Sequence, residues 1–510
     1  MFSVRCWMLN VAVLATAGSA LAEVHYVDVN STNATPPYTN WTTASTNIQD
    51  AVDSAVAGDE IVVTNGLYAT GGRAVYGTMT NRVAVDKPLT LRSVNGPQFT
   101  IIQGHQVPPY AFGDGAIRCV YLTNGASLSG FTLTNGATHA VNDYPTNRES
   151  SGGGLWCESA TAVISNCVVA GNSAYLYGGG AYQGTLNNCT LTSNSADEGG
   201  GAYYCTLNNC TLTDNYGYAG GGTVSCALYN CSLSGNFAYY AGGGADGCVL
   251  NNCTLTGNLM ALDGWTGSAA YSCYLYNCTL TGNGGGYAVD YCNLWNCIIY
   301  YNGENYRPGY SGLYSCCTTP GRIAFLNDII ITNAPLFVDL GSGNLRLQSN
   351  SPCINIGWNN YVVGSTDLDG RPRLVGGTVD IGAYEFQPGV SGQFLGWLQQ
   401  YELPTSGAAD FTDPDGDGLN NWQEWIAGTI PTDASSVLKM FSPSNNVSGL
   451  NVSWQSVSGK NYFLQRSADL FAQPAFLSIA SNLVGQAGTT VYPDTTATNS
   501  GPYFYRVGVQ

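Results

Sequence analysis

The chain has 510 residues, of which only 10% are charged, and a formal net charge of −17. It carries 65 glycines and 34 tyrosines and no basic cluster. That excludes nucleic acid and anionic membrane surfaces as partners and disfavours anionic polymers unless a cation bridges them. The same composition favours turn-rich β structure over helix.

Arg5 precedes the short apolar run CWMLNVAVLATAG, and Ala20–Ala22 closes it with a small-x-small cleavage signature. Residues 1–22 are therefore expected to be a secretory signal, with Glu23 as the mature start. No later run reaches the ~18 apolar residues that a membrane helix needs. The protein is expected to be secreted or held at a bacterial surface, with no transmembrane segment in the mature chain.

Residues 46–58 suit a helical cap. Ile48, Val52, Ala55 and Val56 fall on one helical face, and Gly58 supplies a stop. A strand from Ile61 then opens a run of irregular rungs from about Leu67 to Ile117.

From about residue 150 to 302 the chain repeats itself. Triple glycines start at Gly152, Gly178, Gly199, Gly220, Gly242 and Gly284, and a degenerate copy spans Asp263–Gly267. An Asn-Cys pair recurs at Cys167, Cys189, Cys210, Cys231, Cys253, Cys278 and Cys297, with a further Asn five residues after each. Steps of 21 or 22 residues, such as Cys189 to Cys210, are too short for a helix pair and match one coil of a parallel β-helix. In CTLNNCTLT, Cys205, Leu207, Cys210 and Leu212 point inward and the threonines outward. Stacked coils make ladders of like residues. Asn suits the turns, since it tolerates left-handed backbone and can bond the copies above and below.

The cysteines then form two inward stacks, one from Cys205 through Cys226, Cys248 and Cys273 to Cys292, the other from Cys167 to Cys297. They read most simply as small apolar core residues. Disulfides between rungs are the alternative an oxidising compartment would permit. Zinc is disfavoured, because there is no CxxC and His25, His105 and His139 are scattered.

These rungs resemble the pectin-lyase-like, right-handed parallel β-helix superfamily over roughly residues 24–387. The GGGAY and NCTLTGN segments are also similar to the repeats of polymorphic outer-membrane proteins and adhesins. The resemblance implies an all-β solenoid, single-stranded and right-handed, across residues 23–390. It implies little about activity, because the superfamily includes lyases, hydrolases, esterases and adhesins.

After Tyr301 the repeat decays. Residues 351–387, SPCINIGWNN through DIGAYEFQ, resemble the terminal module called choice-of-anchor Q, which follows β-helices in exported proteins with varied surface anchors. Asp367, Asp369 and Asp380 here are either turn formers and a salt-bridge partner or a cation site.

Residues 391–436 read as a helical linker holding the sharpest motif. DPDGDGLNNWQE (Asp413–Glu424) places Asp at positions 1, 3 and 5, Gly at 6, Asn at 9 and Glu at 12. That spacing wraps six to eight oxygens round one calcium ion. Asp413, Asp415, Asp417 and Asn421 offer side chains, Leu419 its carbonyl and Glu424 a bidentate carboxylate. The loop resembles EF-hand-like dockerin and thrombospondin type 3 segments. A lone complete loop argues against dockerin function and for a structural Ca2+. The tail, residues 437–510, alternates apolar and polar positions. It is similar to fibronectin type III domains, a small β-sandwich with Trp454 as core candidate.

An active site is hard to find. No Lys or Arg lies between Ser159 and Tyr301, and the acids there (Asp197, Glu198, Asp214, Asp246, Asp263, Asp290) do not recur at one ladder position. Arg118, Arg148 and Arg307 remain as candidate bases. An aromatic turn, by contrast, recurs from coil to coil: Tyr175 and Tyr177, Tyr216 and Tyr218, Tyr239 and Tyr240, then Trp265. Stacking brings these onto one edge, where rings either cover the core or hold sugar CH faces. The expected function is non-catalytic: adhesion, or binding of an extracellular polysaccharide or cell-surface component. The alternative is a polysaccharide lyase or glycoside hydrolase.

Overall fold

A computed structural model describes residues 22–261, 266–319, 329–348, 350–375, 378–387, 391–404, 409, 412–446, 449–469, 476–498 and 501–509. The signal assigned to residues 1–22 lies almost wholly outside these residues, as does Trp265. The chain divides into two compact units, one of residues 1–335 and 352–385, the other of residues 336–351 and 386–510.

The first unit is the right-handed parallel β-helix. Three long parallel sheets wrap one apolar core, and each coil contributes one strand to each. In the coil opening at Gly199, Ala202–Tyr203 lies in the first sheet, Thr206–Asn208 in the second and Thr211–Thr213 in the third. A fourth, short edge sheet stacks Ser195–Glu198, Tyr216–Ala219, Phe237–Ala241 and Leu259–Met260. Leu186, Leu207, Leu228, Leu250 and Leu275 align in register and are fully buried, as the alternation predicts.

The two asparagines of each repeat do different work. The first, such as Asn188, Asn209 or Asn230, takes the left-handed turn between the second and third sheets, with φ near +53°. The second points inward. Asn215 Oδ1 accepts the backbone N–H and the side-chain amide of Asn194, both at 3.0 Å, and the pattern repeats from Asn172 to Asn302. The residue before it, Asp214 or Gly235 for example, makes the turn instead.

The glycine triplets serve close approach. A Cβ on Gly200 would sit 2.1 Å from the Tyr216 carbonyl oxygen, so no side chain fits where the edge sheet meets the next coil.

The cysteines of the two stacks, Cys205 to Cys292 and Cys167 to Cys297, are buried thiols. Several of these thiols sit between rungs and accept a backbone N–H, as Cys226 Sγ does from Cys205 at 3.2 Å and Cys248 Sγ from Cys226 at 3.3 Å. The inter-rung disulfide alternative is not realised.

Helix α1 (Ile48–Ser54) caps the first coil, with the Asn47 side chain accepting from Asp50 N–H. Ile48, Val52 and Ala55 are buried, but Val56 is 62% exposed. The helix stops at Ser54 because Ala55 turns extended, well short of Gly58. Residues 352–385 run back along the turn between the second and third sheets. The amides of Asn252, Asn277 and Asn296 donate to the carbonyls of Thr366, Tyr361 and Trp358. Here Asp367 accepts three backbone N–H groups, those of Asp369, Arg371 and Glu385, which makes it a turn former.

The second unit holds α2 (Ser391–Gln400), α3 (Asn421–Ala427) and two three-stranded antiparallel sheets. Val452, Trp454, Tyr462 and Leu464 form the core of those sheets, with Trp454 fully buried as anticipated. Among the described residues no helix is long and apolar enough to cross a membrane.

Candidate functional site

The Asp413–Glu424 loop is built by local rules. Asn420 caps α3, its side chain accepting from Gln423 N–H while the Gln423 side chain accepts from Asn420 N–H. This fixes Asn421 and Glu424 one turn apart. Gly418, at φ +96°, permits the bend before them. Asp413 folds the loop by accepting from Gly416 N–H at 2.8 Å and Gly418 N–H at 2.9 Å. Asp413, Asp415 and Asp417 each bring a carboxylate oxygen within 4.8 Å of the others.

Four oxygens in this loop are buried and unpaired: Asp415 Oδ2, Asp417 Oδ2, Asn421 Oδ1 and Glu424 Oε2. They come from positions 3, 5, 9 and 12. Their neighbours on the same groups are engaged, and this aims them. Asn421 Nδ2 donates to the Ala409 carbonyl at 2.6 Å, and Glu424 Oε1 accepts from Thr429 Oγ1 at 3.2 Å. Buried oxygens without donors are costly. A hard divalent cation with oxygen ligands is the group that satisfies them together, so the residues present fit calcium. Burial, with Asp415 adding its charge, pushes the Glu424 carboxyl up to about 7.

The aromatic edge is only partly as expected. Tyr216 stacks on Phe237 (5.4 Å between centroids) and Tyr218 on Tyr239 and Tyr240 (5.5 and 5.9 Å), all offset. The four tyrosines are 43–49% exposed, so ring surface faces solvent along the edge. Tyr175 joins them at one end. Tyr177 does not: it turns to the first sheet and stacks on Tyr203 at 4.5 Å. Two aromatics from a distant loop complete the feature. Tyr110 and Phe112, with Tyr175, Tyr216, Tyr218 and Asp197, line a groove of about 620 Å3. Gln106 anchors that loop by donating to the Gly171 carbonyl at 2.8 Å. Nothing in the irregular segment around Pro108–Pro109 signals this long-range placement.

The first sheet carries a row the repeat pattern obscured. Its outward ladder runs Tyr121, Trp156, Tyr182, Tyr203, Val224, Asp246, Tyr271, Asp290. Asp246 and Asp290 thus do share one ladder position, two rungs apart, which corrects the expectation from spacing. Both acids lie two residues before a core cysteine, Cys248 and Cys292, and that register holds across coils of 25 and 19 residues. The two acids differ. Asp290 is fully buried and bonds Arg307 at 3.2 Å. The Asp246 carboxyl is pushed up to about 7 by burial, with Cys248 and Glu198 adding to it.

A carboxyl raised in the fold stabilises only while protonated. Stability is full below the unfolded pKa near 4 and is lost as pH rises through about 7. Asp246→Asn is therefore expected to gain about 2 kcal/mol at pH 8, after discounting for solvent contact, and almost nothing at pH 4. Urea unfolding at the two pH values checks this, and equal gains at both would contradict it.

Each of the three candidate bases is already engaged by other groups. Arg118 is buried and donates to the Gly152 and Ser151 carbonyls and Asn81 Oδ1, while burial lowers it to about 9. Arg148 lies 3.7 Å over the Tyr76 ring, and Arg307 pairs with Asp290 and lies over Tyr310.

No family model matches this chain, and no curated protein does. Among solved structures it is similar to pectate lyase Pel9A, at 15% identity and TM-score 0.50, over 72% of this chain and 97% of that one. A rhamnogalacturonan lyase follows at 14% identity and TM-score 0.36, covering 58% and 87%. A XylC–xylose complex gives 9% and 0.37, covering 71% and 98%. The first of these likenesses shows the fold the coils build, a pectate-lyase-like parallel β-helix.

Proposed function

We propose that this is an exported β-helix protein that binds an extracellular polysaccharide or glycan-bearing surface component through its tyrosine edge. Calcium in the Asp413–Glu424 loop stiffens the second unit. The observation that carries the reading is the exposed, offset-stacked row of Tyr216, Tyr218, Tyr239 and Tyr240 bordering an aromatic groove. Sugars pack their CH faces on such rings. The similar fold belongs to an enzyme named for pectate, which adds a carbohydrate setting. Replacing Tyr239 and Tyr240 by Ala is expected to weaken retention on a glycan matrix at least tenfold with unchanged thermal unfolding. Unchanged retention would remove the edge from the proposal.

A second reading is hydrolysis, favoured by Asp246. A carboxyl protonated near neutral pH suits a general acid, and Glu198 is near enough to raise it. A lyase has less support, since it needs a poised base. New chain ends released from a polysaccharide panel, and lost in Asp246→Asn, would install this reading in place of pure binding. No release would leave binding.

A further inference from the structure

We infer that the polymer held on the tyrosine edge is an uncharged polysaccharide rather than a polyuronate, an inference that rests on the glycan-binding reading above. The groove has five aromatic walls, Tyr110, Phe112, Tyr175, Tyr216 and Tyr218, and Asp197 is the one charged side chain lining it. Glu198 follows Asp197 on the same edge strand. No Lys or Arg occurs between Ser159 and Tyr301, the stretch that supplies every strand of the edge sheet. The nearest arginines in sequence, Arg148 and Arg307, are each already stacked on a tyrosine.

A uronate chain lying along the groove would bring its carboxylates past Asp197 with no cation to offset them. Like charges juxtaposed at an interface oppose binding. A calcium bridge would relieve this, but the acids here do not gather for one. Among the described residues, the only group of three acidic or thiol ligands close enough for an ion is Asp413, Asp415 and Asp417. A neutral sugar meets the site on better terms. Its hydroxyls donate to the Asp197 carboxylate, a charge-assisted bond. Its CH faces lie on the offset rings. Coils repeat about every 4.8 Å, close to the length of one pyranose unit, so successive rings can meet successive sugars.

The test compares polymers that differ in charge alone. Polygalacturonate and its carboxyl-reduced, neutral form are run through affinity electrophoresis beside neutral glucan, xylan and mannan, with and without calcium. Wild type is expected to be retained by at least one neutral polymer at least tenfold more strongly than by polygalacturonate, with or without calcium. The Tyr216→Ala/Tyr218→Ala pair should lose that retention. Asp197→Lys should narrow the gap between the charged and reduced polymers. Polygalacturonate held as tightly as its reduced form, and lost in the tyrosine pair, would overturn this inference and leave the edge as a glycan site. Retention unmoved by the tyrosine pair, or absent for every polymer, would overturn the glycan reading itself and this inference with it.

Discussion

Calcium added to the chelator-treated protein is expected to raise the unfolding temperature of the second unit by roughly 5–10 °C, and to change tryptophan emission. The first effect follows from mass action. A ligand at a hundred times its dissociation constant adds about 2.7 kcal/mol to the state that binds it, and a unit of this size shifts a few degrees per kcal/mol. The second follows from where the loop ends. Its last ligands sit on α3, whose Trp422 and Trp425 pack against Phe394 of α2 at 5.2 and 5.6 Å. Lys460 holds the other end of α3 by donating to the Ile426 carbonyl at 2.7 Å. Ordering the loop therefore orders the aromatic cluster. Without the ion, the carboxylates of Asp413, Asp415 and Asp417 repel one another, and four buried oxygens lack donors.

Asp417→Asn and Glu424→Gln should each weaken binding at least tenfold in titrations followed by fluorescence. Magnesium should substitute poorly, because it demands near-ideal octahedral geometry and sheds water reluctantly. A calcium response that is absent, or that persists undiminished in Glu424→Gln, would refute the assignment.

Reading from sequence went furthest where one short period governs everything. Cys205, Leu207, Cys210 and Leu212 announce the inward face because strand alternation is local and each coil repeats it. Trp454 was legible for the same reason. The Asp413–Glu424 spacing was visible too, since its six positions lie within twelve residues, and the loop it folds gathers three carboxylates. The groove was not. Tyr110 and Phe112 come from a loop some 60 residues before Tyr175, and only folding brings them to the edge. Tyr177 shows the limit of counting. Two residues from Tyr175, it reaches the first sheet instead, where Tyr203 and Tyr182 offer a stacked partner. Asp246 and Asp290 each lie two residues before a core cysteine, and that register, not residue count, puts them on one ladder across unequal coils.

Asn215→Ala is expected to cost about 3–5 kcal/mol, the largest effect of any single substitution considered for this protein, while Asn209→Ala six residues earlier should cost about 1 kcal/mol. The residue type and the repeat position look alike, but the surroundings differ. Asn215 is fully buried. Its Oδ1 accepts from Asn194 N and Nδ2, both at 3.0 Å, and its Nδ2 donates to the Leu191 carbonyl at 3.0 Å and to Asn236 Oδ1 at 2.9 Å. Truncation leaves the Asn194 backbone N–H and the Leu191 carbonyl without those partners in a dry core. Each orphan costs about 1–3 kcal/mol, and the emptied volume adds to it. Asn209 is solvent-exposed, and its φ of +52° is the feature alanine tolerates less well. Asn209→Gly should recover that cost, whereas Asn215→Gly should not.

In a solenoid each coil leans on its neighbours, so the damage at Asn215 should spread to the coils carrying Asn194 and Asn236. Urea unfolding of both variants, with hydrogen exchange of the Asn194 amide, separates the two roles. Equal losses for Asn209→Ala and Asn215→Ala would mean that both asparagines act only as turn residues. A large loss confined to Asn215→Ala, with fast exchange at Asn194, would mean that the buried amide ladder holds the coils in register beneath the tyrosine edge.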